Sequence, residues 1–109
     1  MVYSVDILNR IAGVYNAYDY ESITVSTSAV GLTSSKYAPS GEEAAKRVFI
    51  TVESGSIRYR YDGTDPTSSE GHLITEGGYL TITGKSNIEK FKAIRAGTSD
   101  AVLRVTYER

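Results

Sequence analysis

Residues 101–107 place Ala101, Leu103, Val105 and Tyr107 on one face of an extended chain and Val102, Arg104 and Thr106 on the other. A period of two belongs to a strand and not to a helix, so this run limits what the chain can fold into. The pattern recurs at 48–52, where Val48, Ile50 and Val52 face one way and Phe49 and Thr51 the other. It recurs again at 79–83, which turns Leu80 and Ile82 inward, and at 22–29, which sets Ile23 and Val25 against Thr24 and Ser26. Residues 56–61 set Ile57, Tyr59 and Tyr61 opposite Arg58 and Arg60, and shorter strands are expected at 72–75 and 91–95. Turn residues separate these runs: Glu53-Ser-Gly-Ser56 as a hairpin, Gly77-Gly78, and residues 96–100 before the final strand. Many short strands at this spacing predict an all-β fold, an antiparallel β-sandwich of jelly-roll-like type over residues 21–109. No strand is followed by a long helical pattern, which argues against a parallel α/β sheet.

Residues 1–20 follow a different period. Leu8, Ile11, Tyr15 and Tyr18 recur at three- and four-residue spacing, Val5, Ile7 and Val14 widen the stripe, and Ser4 suits an N-cap. A short N-terminal helix over 4–18 is expected, with Gly13 weakening it by about 1 kcal/mol relative to Ala. Its apolar stripe either packs on its own domain or docks as an arm on a neighbouring subunit. The polar stretch 31–45 contains Pro39, and a helical turn capped by Ser40 can open there.

Composition narrows the function. A length of 109 residues fits one domain, with enough core to fold without staples. Twelve basic against thirteen acidic residues leave a formal net charge of -1, so no basic footprint points to direct nucleic-acid binding. With Cys 0, disulfides, zinc–thiolate sites and thiol nucleophiles are excluded, which fits synthesis in a reducing cytoplasm. The first residues lack a secretory pattern, and no apolar run approaches the roughly 20 residues that span a bilayer, so no membrane partner is expected. Nine Tyr and two Phe with no Trp suit half-wet strands and interfaces.

The motifs that suggest chemistry fail on spacing or context. Gly78-Tyr-Leu-Thr-Ile-Thr-Gly84-Lys85-Ser86 approximates a phosphate-binding loop, but it has one residue too many and alternates as a strand where the motif needs a loop. Asp62, Asp65 and Glu70 lie in the polar loop 62–72 at spacing that matches no calcium hand, and Asp-Gly and Asp-Pro turns account for the positions. His72 is the sole histidine, with no nucleophile elbow to serve, and Glu42-Glu43 sits in a solvated stretch. Arg58 and Arg60 alternate with Tyr59 and Tyr61, which places the two pairs on opposite faces and not on one stacking platform. No catalytic, cofactor-binding or metal-ligating residue is assigned, and no cofactor is expected.

The run Ala44-Ala-Lys-Arg-Val-Phe-Ile-Thr-Val-Glu53, then Ile57-Arg-Tyr-Arg-Tyr-Asp-Gly-Thr-Asp-Pro-Thr67 and Glu70-Gly-His-Leu73, resembles small β-sandwich proteins encoded among bacteriophage and prophage virion genes. Leu80-Thr-Ile-Thr-Gly84, residues 88–95 and residues 101–107 continue the likeness, which covers about 44–109. The resemblance implies a non-catalytic virion structural protein, made in the host cytoplasm, that self-associates and packs on other capsid or tail components. It names no station among head decoration, head–tail junction and tail. Candidate interface residues are Leu8, Ile11, Tyr15 and Tyr18 on the helix stripe, and Val102, Arg104 and Thr106 on the last strand should that strand lie at a sheet edge. The alternative is a small carbohydrate-binding-like module, suggested by the tyrosines and the 62–72 loop.

Overall fold

The computed structural model describes residues 14–109. In chain order the elements are β1 (Ala17–Val25), β2 (Val30–Gly31), α1 (Ser34–Tyr37), β3 (Arg47–Ser54), β4 (Ile57–Arg60), β5 (His72–Ile74), β6 (Tyr79–Thr83), α2 (Lys85–Lys90), β7 (Lys92–Arg95) and β8 (Ala101–Glu108). The strands form two four-stranded sheets, ordered β1-β8-β3-β6 and β2-β7-β4-β5. Every pairing is antiparallel. The all-β class expected from the alternating runs is therefore observed.

The alternation sets which side chains are buried. In β8 every second residue is buried, and in β3 and β6 the buried positions are Val48, Ile50, Val52, Leu80 and Ile82. These side chains join Ile57 and Ala93 of the second sheet, with Ile88 and Phe91, in one apolar cluster. Burying each of the larger ones contributes roughly 1.5–3 kcal/mol, which commits the register, because a slip of one residue would turn the whole set to solvent.

Several expectations need correction. The last strand is not at an edge: β8 pairs with β1 on one side and β3 on the other. Period two assigns a residue to a face but says nothing about the strand's neighbours, so the edge position could not be read from it. The helix expected over 4–18 falls mostly outside the described residues, Leu8 and Ile11 included. At its far end the chain is extended, and Tyr18 already lies in β1, which starts four residues ahead of the expected boundary at residue 21. Tyr15 and Tyr18 are three apart, as on a helix, but Ala17 and Asp19 pair with Glu108 and Tyr107 of β8, and Tyr18 is the extra residue at the register shift between them. The helical turn sought after Ser40 occurs earlier, at α1, and a second short helix, α2, follows Gly84.

Candidate functional site

The solvent side of the first sheet carries large aromatic side chains. Register places Phe49 beside Thr81 on β6 and Thr106 on β8, Thr51 beside Tyr79 and Arg104, and Tyr20 on β1 beside Thr106. All these residues share the face opposite the core. Tyr20, Phe49 and Tyr79 are 52%, 38% and 69% exposed, far from the fate of most large apolar rings. The Phe49 and Tyr79 rings meet with centroids 5.9 Å apart. Arg104 lies among them and donates to the Glu53 carboxylate at 3.2 Å and to the Ser22 hydroxyl. At the rim, Arg47 donates to both oxygens of Glu108, at 2.7 and 3.3 Å. Arg104 with Glu53 and Arg47 with Glu108 are thus matched within the chain.

The residues expected at the interface separate into three groups. Leu8 and Ile11 lie outside the described residues. Tyr15 is half-buried under the Arg47 guanidinium, 4.4 Å from its ring centroid, and Tyr18 packs into its own domain. The Tyr18 hydroxyl donates to the Lys36 carbonyl at 2.6 Å, and the Arg109 guanidinium covers its ring at 4.0 Å. Val102, Arg104 and Thr106 do face outward, but from a central strand. Tyr20, Phe49 and Tyr79 were not singled out from sequence. Their signal was an aromatic at positions where the alternation calls for a polar residue.

A second cluster forms where β4 runs into the 62–72 loop. The strand ends at Arg60, so the alternation that would separate arginines from tyrosines stops there. Arg60 and Tyr61 consequently line one surface hollow together with Asp62, Glu70, Gly71 and His72. Half-buried Tyr59 backs this hollow. Its ring lies 5.7 Å from Phe91, 6.3 Å from Tyr61 and 5.2 Å from His72. Burial pushes the Tyr59 phenol above its ordinary range. Arg60 donates to both Asp62 carboxylate oxygens, at 3.0 and 2.5 Å, and these bonds hold Asp62 down at about 2.

The loop itself is tied down. Arg58 donates to the carbonyls of Ser68 at 3.3 Å and Gly71 at 3.0 Å, and Pro66 is buried beneath. Gly71 has φ +133°, and a side chain there would start 3.1 Å from the Tyr59 carbonyl and 3.2 Å from Pro66 Cβ. Only glycine accommodates both the dihedral and the approach. Among the described residues no group of three or more His, Asp or Glu side chains is placed to hold a metal ion. Residues 79–83, the core of the near-miss phosphate loop, pair with β3 as a strand.

No family model, no curated protein and no solved structure matches this chain. Among the described residues no helix is long and apolar enough to cross a membrane.

Proposed function

We propose that this chain is a non-catalytic structural protein of a bacteriophage particle that assembles by packing on copies of itself and on other capsid or tail components. In this proposal the two sheets close as a sandwich, with a short helical arm ahead of β1. The observation that carries it is the outer face of the first sheet, with Tyr20, Phe49 and Tyr79 exposed on a threonine-rich surface. A second copy is the favoured occupant because the charges there are already paired, Arg104 with Glu53 and Arg47 with Glu108. Two such faces meet without like-charge repulsion, and an unpaired charge would have to be matched by a dedicated partner. The likeness of residues 44–109 to small virion proteins supports the particle setting.

Four strands about 4.8 Å apart, with a rise of roughly 3.3 Å per residue, present a projected face of roughly 400 Å², half of the ~800 Å² per partner in a standard interface. The face alone therefore supports a contact that needs repetition, as in a ring or lattice. Sedimentation of the wild type across micromolar concentrations is expected to show reversible assembly. The double variant Phe49→Thr, Tyr79→Thr should stay monomeric and folded. A wild type that is monomeric throughout, or a gene lying within a metabolic operon, would overturn the proposal.

A further inference from the structure

We propose that the hollow beside β4 and β5 binds a neutral, polyhydroxylated ring, that is, a pyranose sugar. This site lies on the second sheet and does not depend on assembly through the first. Its volume is about 500 Å³, within the usual range of roughly 300–1,000 Å³ for small-molecule sites.

The chemistry of the lining selects the ligand class. Tyr61 is 41% exposed and is stacked on Tyr59 with ring planes 19° apart, so one aromatic face is supported from behind while part of the ring remains open. A supported aromatic face of this kind attracts the weakly positive C–H side of a saturated ring. Around it stand a donor, the Arg60 guanidinium, and acceptors, the Asp62 and Glu70 carboxylates, all lining the same hollow. A hydroxyl donates and accepts at once, so a ring bearing several of them can meet both kinds of group. An anion would face two carboxylates. A cation would face the Arg60 guanidinium, which already holds Asp62 through both oxygens. A purely apolar ligand would take water from these groups and offer no hydrogen bond in exchange, which costs binding energy.

The hollow is also preformed. Arg58 pins the loop at Ser68 and Gly71, and Thr67 and Glu70 exchange backbone hydrogen bonds at 2.9 and 3.3 Å. Little ordering is left for a ligand to impose, and preorganisation of this kind favours binding.

The test is an NMR titration of the labelled full chain with the methyl glycosides of glucose, galactose, mannose and N-acetylglucosamine. At least one should give saturable shifts confined to Tyr61, Gly71 and His72, with a Kd on the order of millimolar. Tyr61→Ala should weaken that binding by roughly tenfold or more, while Tyr61→Phe, which keeps the ring, should retain it. Amide dispersion like that of the wild type shows that each variant is folded. No saturable shift from any of the four up to roughly 50 mM, or shifts from trimethyl-lysine or inorganic phosphate but from no sugar, would overturn the proposal. Sedimentation reports separately on self-association, so either proposal can fail without the other.

Discussion

The Tyr107 hydroxyl donates to the Glu21 carboxylate from within the core, joining positions 86 residues apart in the chain. Glu21 also accepts from the Thr33 hydroxyl at 2.7 Å and the Thr33 amide at 3.3 Å, so one carboxylate fastens β1, β8 and the start of α1. Tyr107→Phe removes a single donor and leaves Thr33 in place, and it should cost roughly 1–2 kcal/mol in urea unfolding with an unchanged m-value. Burial, and then the Glu21 contact, push the Tyr107 phenol above its ordinary range. A raised folded-state value means the stabilisation is complete below the unfolded phenol's pKa, about 10, and is lost as pH climbs past it. Melting between pH 8 and 11 should therefore fall more steeply for the wild type than for Tyr107→Phe.

Asp62 works in the opposite sense. Its pKa of about 2 lies below the ordinary aspartate value because Arg60 binds both of its oxygens. Any stabilisation from this pair is present above about pH 4 and is lost as pH falls towards the folded value. Carboxyl ¹³C shifts should show Asp62 still ionised at pH 3. In Arg60→Ala its midpoint should return towards about 3.9.

The two phenylalanines provide a direct test of which face is core. Phe91 is 1% exposed and stacks on Tyr59, whereas Phe49 is 38% exposed on the outer face. Phe91→Ala should destabilise by about 3–5 kcal/mol in chemical denaturation. Phe49→Ala should cost less than about 1.5 kcal/mol, since its site needs no cavity.

Gly55 and Gly63 both have positive φ, +73° and +93°, but their surroundings differ. A Cβ on Gly55 would lie 2.9 Å from Ala101 Cα and 2.9 Å from the Asp100 carbonyl, whereas none of the rest of the chain comes within 4 Å of one on Gly63. Gly63→Ala should cost about 1–2 kcal/mol for the left-handed backbone alone. Gly55→Ala should cost more, because the β3–β4 turn must move away from β8, and thermal melts of the two variants measure the difference.

Much of the first sheet was legible in advance because its inner face is buried. Val48, Ile50 and Val52, like Leu103, Val105 and Tyr107, fall on alternate positions and are all buried. Neighbour relations were not legible, since alternation is blind to which strand lies alongside, and β8 proved central. The hollow was hidden for a related reason. His72 joins Tyr59 only through the β4–β5 register, and although alternation already sets Tyr61 on the side of Tyr59, Arg60 shares the hollow with Tyr61 only where β4 ends. Tyr15 and Tyr18 show a further limit. Their spacing suits a helix, but the strand that pairs with Ala17 and Asp19, on either side of Tyr18, lies at the far end of the sequence.

The central position of β8 also bears on how the molecule comes into being. During synthesis β1 emerges early, but its hydrogen-bonding mate is made only after every other strand. Until then β1 has an open, tyrosine-bearing edge, ready to pair with whatever strand it meets. Ladders that close over such distances form slowly and expose the nascent chain to misassembly. Refolding in milliseconds to seconds, with yield falling at high protein concentration, is the expected signature of a sheet completed by its last strand.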